Sequence, residues 1–129
     1  MNSNMLKVVM TGLLVTGLLL AAMPVVAHHA GIMFSRDEVD ELSGTIKEVQ
    51  WTNPHIWIQI DVEGSDGVVS EWSVEWGSPN SLGRQGIRPS TFPVGDTVFV
   101  RIRPMTNGSA AGAFVGAMFA DGSTVGRWE

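Results

Sequence analysis

From Ile56 to Glu63 the chain alternates without a break. Ile56, Ile58, Ile60 and Val62 take one side, and Trp57, Gln59, Asp61 and Glu63 take the other. A period of two puts successive side chains on opposite faces of a strand, and a helix cannot gather those four apolar residues onto one side. Gly64-Ser65-Asp66-Gly67 follows as a hairpin turn, with glycine supplying the positive φ that tight turns need. Val68 to Trp76 then runs back, with Trp72, Val74 and Trp76 on one face and Glu71, Ser73 and Glu75 on the other. A hairpin with one apolar face must cover that face with another layer. The rest of the chain has to provide it.

More strands are available on both sides. Ser43 to Trp51 carries the alternation Thr45-Ile46-Lys47-Glu48-Val49, and Trp51-Thr52-Asn53-Pro54-His55-Ile56-Trp57 turns that strand into the next. After Trp76 the period changes. Ser78 suits an N-cap, Pro79 the first helical position and Gly86 a C-terminal cap, so the spacing predicts a helix of about two turns. Pro89, Pro93 and Gly95-Asp96 read as a loop, Thr97 to Arg103 as a strand with Val98, Val100 and Ile102 on one face, and Pro104 to Gly112 as a second loop. Ala113 to Ala120 is a strand of small residues, and Thr124 to Trp128 can pair back through the Asp121-Gly122 turn. Short strands at regular spacing with Gly and Pro turns imply an all-β barrel or sandwich. A helix between the third and fourth strands favours a small five- to six-stranded OB-like Greek-key barrel, with an open sandwich as the alternative.

The barrel takes residues 42–129, and residues 28–41 form an N-terminal arm that Ile32, Met33 and Phe34 can pin to the body. Ahead of them, residues 1–27 have the form of a secretory signal peptide. Lys7 precedes an apolar run ending Pro24-Val25-Val26-Ala27, with small residues placed for cleavage after Ala27. An uncleaved anchor helix is the rival reading. The expectation is a periplasmic or secreted protein with no membrane attachment once the segment is removed. The 129-residue chain has no cysteine, so neither disulfides nor thiolate metal sites are open to it. Downstream of Ala27, seven cations face thirteen carboxylates, a net charge of −6. Phosphate backbones are bound chiefly by Lys and Arg, so nucleic acid is excluded as an expected partner.

Several strings fall in one order: His28-His29 behind the apolar segment, Gly44-Thr45-Ile46, Trp51-Thr52-Asn53-Pro54-His55-Ile56-Trp57, Gly77-Ser78-Pro79-Asn80, Arg84-Gln85-Gly86 and Val94-Gly95-Asp96-Thr97-Val98. In that order the chain resembles a family of small exported bacterial proteins of unknown function, over nearly all of its length after Ala27. The resemblance implies an exported, single-domain, mostly β protein and brings no activity with it. Ala30 stands where that family often has serine.

The chemistry-bearing residues are few. Cleavage after Ala27 would give His28 a free α-amino group beside its imidazole, and His55 or His29 would add a second ring nitrogen. Three nitrogen donors without thiolate suit Cu(II). Zinc would want a fourth ligand, for which Asp37 or Glu38 lies nearby in sequence. The plain alternative is that His55 only hydrogen-bonds the turn built by Asn53 and Pro54. Trp51, Asn53 and Trp57 form a candidate ligand or partner surface, an aromatic platform on which the protein could dock to a larger exported partner without metal. The alternative for the tryptophans is that Trp72 and Trp76 fill the barrel while Trp51 and Trp57 cover its mouth. Arg101 and Arg103 share a strand face and are expected to pair with Glu71, Ser73 or Glu75, while Arg84 and Arg88 lie near the helix. Either pair can receive an anion or an acidic partner. No nucleophile elbow, HExxH or phosphate-cradling loop is present, and no catalytic residues are assigned.

Overall fold

The computed structural model describes residues 2–5, 7 and 33–129. The apolar run 8–27, His28, His29 and Ile32 lie outside the described residues, so the signal-peptide reading and the first two proposed metal ligands do too.

The described residues hold six strands: β1 (Asp40–Gln50), β2 (Trp57–Glu63), β3 (Val69–Glu75), β4 (Thr97–Pro104), β5 (Ala111–Phe119) and β6 (Thr124–Gly126). One helix, α1 (Pro79–Arg84), stands between β3 and β4. The strands run in the order β3-β2-β1-β4-β5-β6, and a parallel pairing of β3 with β5 closes the first five into a barrel. This is the expected OB-like closed barrel, with β6 added to the free part of β5.

The barrel closes because β1 serves two neighbours in succession. Asp40 to Thr45 pair with β4, and Thr45 to Gln50 pair with β2, with an irregularity between Ile46 and Glu48 that takes Lys47 out of register. An extra residue of this kind sharpens the local twist and bends the strand from one half of the sheet into the other. Gly44 lies at the bend. A Cβ there would come 2.7 Å from Ile60 Cγ2 and press on the Asp61 carbonyl, so only glycine lets the two strands approach so closely. The strand begins at Asp40, earlier than the alternation suggested, because β4 offers Arg101 and Ile102 as partners to Glu41 and Asp40.

The inward faces match the alternation. Ile46, Ile58, Ile60, Val74, Val98, Val100, Ile102 and Ala117 are buried in one cluster, with Trp72, Trp76, Phe114 and Phe119 packed around it. The segment read as a plain loop supplies a further piece. Pro89–Thr91 forms a 3₁₀ turn that drives Phe92 into the core. There Phe92 meets Trp76 and Phe114 edge-on, with ring centroids 6.1 and 6.0 Å away, and Phe119 at 5.5 Å. The rings form one aromatic plug in the core. Helix α1 is shorter than two full turns, but its cap is the expected one: Ser78 Oγ accepts from Ser81 N at 3.2 Å, with Pro79 at the first position. Of the arm, Phe34 is the pin. It is buried, pairs with Met105, and the neighbouring Ser35 N donates to Pro104 O at 2.8 Å.

Candidate functional site

His55 sits two residues ahead of Trp57, where the β2–β3 ladder begins. Ile56 N donates to Gly77 O at 3.1 Å and Trp76 N to Ile56 O at 3.0 Å, so the backbone on either side of His55's neighbour is locked to the end of β3. The preceding Asn53–Pro54 peptide is cis. From this anchored position the imidazole turns to β3, where Nδ1 contacts Glu75 Oε1. The side-chain exposures differ sharply: 41% for His55 and 10% for Glu75. An ionised carboxylate can only accept, so a hydrogen bond between the two has to be donated by Nδ1. In a neutral ring that donates from Nδ1, the other nitrogen, Nε2, is the acceptor. The plain alternative, in which His55 serves only its own turn, does not describe the side chain, whose contact is on β3.

Glu75 belongs to a row that crosses the outer surface of the barrel. In register, Gln50 faces Trp57, Trp57 faces Glu75, Glu75 faces Ala113 and Ala113 faces Arg103. One step along, Ser73 Oγ donates to Gln59 Oε1 at 2.6 Å. Gln59 and Glu75 are buried although the alternation puts them on the outer side. At the far end of the row the Nε of Arg103 is buried and has no hydrogen-bond partner among the described residues. Arg103 therefore does not pair with the β3 carboxylates as expected, and neither does Arg101. Strand β5 lies between β4 and β3, so Arg101 turns instead to the chain end: it donates to the Trp128 carbonyl and lies 5.6 Å from the centre of that ring. The charge facing Glu71 comes from Lys47, the bulged residue of β1, which also lies 3.9 Å from Asp61. Glu71 holds the Lys47 ammonium above its ordinary pKa, with Asp61 adding to the effect.

The tryptophans divide between two environments. Trp76 stacks at 4.1 Å on Phe114 inside the barrel, and Trp72 packs against the core, as their inward positions imply. Trp57 is half-buried on the outer row beside Glu75, whereas Trp51 lines a depression with Pro79, Asn80, Gly83, Arg84 and Arg88. Asn53 is exposed in the turn, and Asp37 and Glu38 are exposed in the arm. Among the described residues no three His, Asp or Glu side chains converge as a metal cluster. Of the three histidines expected as ligands, His55 alone lies among the described residues, and its contact is Glu75, which was expected to face an arginine. Glu75 carried one signal: it is an acidic residue at the end of a strand that the turn containing His55 must meet.

Comparison with curated proteins and with solved structures found no match. The model of a family described as a family of unknown function (DUF6152) matches residues 15–114, a span that holds β1 to β4, the His55 turn and Glu75. The chain belongs to that family of unknown function.

Proposed function

We propose that the protein is exported, is cleaved after Ala27, and binds a transition metal, copper above others, through the new N-terminus and His55. The observation that carries the reading is the His55–Glu75 pair. Metal-binding histidines usually donate their second ring nitrogen to a carboxylate or carbonyl, which fixes the tautomer and raises the basicity of the ligating nitrogen. His55 has that arrangement, with a buried carboxylate on Nδ1 and a ring exposed enough to be reached from outside. His28, with its α-amino group, and His29 are the complementary donors.

Reach is compatible with this. The Met33 carbonyl accepts from Thr106 N at 2.9 Å and from Thr106 Oγ1 at 3.1 Å, which anchors the arm at the loop between β4 and β5. An extended chain covers about 3.3–3.6 Å per residue, so His28 can lie up to roughly 17 Å from Met33. From β4 to β3 is two strand spacings, about 10 Å. The outward residues of β5 on that route are Ala111 and Ala113, both small. An all-nitrogen donor set favours Cu(II) over Zn(II) by the usual order of divalent affinities.

The test is a competition titration of the protein beginning at His28 with Cu(II). One tight site is expected. His55→Ala should weaken it at least a hundredfold, and Glu75→Gln by about 10- to 100-fold. An affinity that His55→Ala leaves unchanged means that the N-terminus alone binds copper, and the reading fails. The second reading, a metal-independent module docking on an exported partner, rests on Trp57, which is half-exposed beside the His55–Glu75 pair. It expects Trp57→Ala to lose the partner while copper has no effect.

A further inference from the structure

Seven cations are spread over the barrel and arm, in a chain with thirteen carboxylates. Acidic partners are thus in excess, and Lys47 and Arg101 have taken them. Arg84 and Arg88 have not, and neither, among the described residues, have Arg36, Arg103 and Arg127; what sets Arg84 and Arg88 apart is that they share one hollow. Both line one open depression of about 420 Å³, whose remaining walls are Trp51, Pro79, Asn80 and Gly83. No carboxylate contributes to the lining, and among the described residues neither guanidinium has a carboxylate within ion-pairing distance. Arg88 is held in place by the backbone. Its Nη1 donates to Gly83 O at 2.7 Å and Ile87 O at 2.9 Å, which uses one end of the fork and leaves the other. Arg84, at the last position of α1, is exposed and uncommitted.

From this arrangement we infer that the depression between α1 and the end of β1 is a binding site for an oxyanion carried on a flat organic body. Two guanidinium groups on one hollow match a carboxylate or phosphate, whose oxygens they can meet in parallel pairs. The Asn80 amide can add a donor. Trp51 is the one aromatic side chain of the lining, half-buried and uncharged, and its exposed part can meet a ring or other planar group. Arg88 is preorganised by its carbonyl contacts, and Arg84 closes from the rim. The site is separate from His55 and Glu75 and needs no metal.

The probes are benzoate and inorganic phosphate, titrated into the whole folded protein and followed by the Trp51 indole N–H and Arg84 Nε–H signals in nitrogen–proton correlation spectra. Saturable shifts confined to this depression are expected, with benzoate at least several-fold tighter than phosphate. Arg84→Gln, an exposed position, should weaken benzoate at least tenfold while leaving the remaining spectrum unchanged, and His55→Ala should have no effect. Linear drift without saturation, or the same dissociation constant in Arg84→Gln, overturns the proposal. Phosphate binding as tightly as benzoate overturns the part given to Trp51.

Discussion

The contact of His55 Nδ1 with Glu75 is the most consequential of the outer surface, and because an ionised carboxylate cannot donate, a hydrogen bond between them has to run from Nδ1. In the metal-free protein the neutral ring is expected as the Nδ1–H tautomer, read from its two nitrogen shifts. Glu75→Ala should return it to the Nε2–H form usual for free imidazole, and a wild-type ring already in that form contradicts the geometry. Gly44 is the residue whose size matters most to the fold. With Ile60 Cγ2 at 2.7 Å from the added carbon, Gly44→Ala must push β1 from β2 and should cost about 1–3 kcal/mol in chemical denaturation. The His55 turn stood out in the sequence, but Glu75 as its partner did not. Alternation assigns Glu75 a face and says nothing about depth, and its burial arises only once Trp57 and Ala113 lie beside it in register.

Among the elements, the 3₁₀ turn and its Phe92 were the least legible in sequence. Pro89 and Pro93 are ordinary loop punctuation. A single aromatic residue between them has no periodicity to reveal that it points inward. Three-dimensionally it is the plug that Trp76, Phe114 and Phe119 surround. Phe92→Ala is expected to cost about 3–5 kcal/mol, since the cavity would open among rings that cannot collapse onto it. Strand β1 carries a different kind of dependence. Lys47 links it across β2 to Glu71 on β3, and its pKa is raised in the folded state by that contact. A raised lysine contributes stability that is whole below its unfolded pKa, about 10.4, and is lost as pH climbs through the folded value. Lys47→Met should therefore lower the melting temperature slightly at neutral pH, less in high salt, and the difference from wild type should vanish at strongly alkaline pH. Asp121 works in the opposite direction. Hydrogen bonds from Ser123 depress its pKa, so the turn before β6 keeps that contribution above the ordinary carboxylate range and loses it as pH falls through the depressed value.

At the scale of the whole molecule, the barrel has one core that all five closing strands share. Unfolding should be a single transition, with strand content by circular dichroism and tryptophan emission changing together. Separate midpoints would mean that the part of the core holding Phe92 opens on its own. The alternating strands, the capped helix at Ser78 and the glycine turns were all legible in the sequence, because each is dictated within about ten residues by side-chain periodicity and local φ preference. Closure was legible only as a class. The parallel β3–β5 contact joins Ser73 to Ala111 and Glu75 to Ala113, and nothing local in either strand specifies its partner. The sequence by itself determined which residues of the alternating strands face inward, where the chain turns and that its three histidines are its only imidazoles. Tertiary structure alone decided that His55 meets Glu75, that Lys47 rather than an arginine answers Glu71, and that Trp51 keeps company with Arg84 and Arg88. Those pairings depend on which strands become neighbours, and that is settled by the shared core and the bend in β1, at distances in sequence that no local pattern spans.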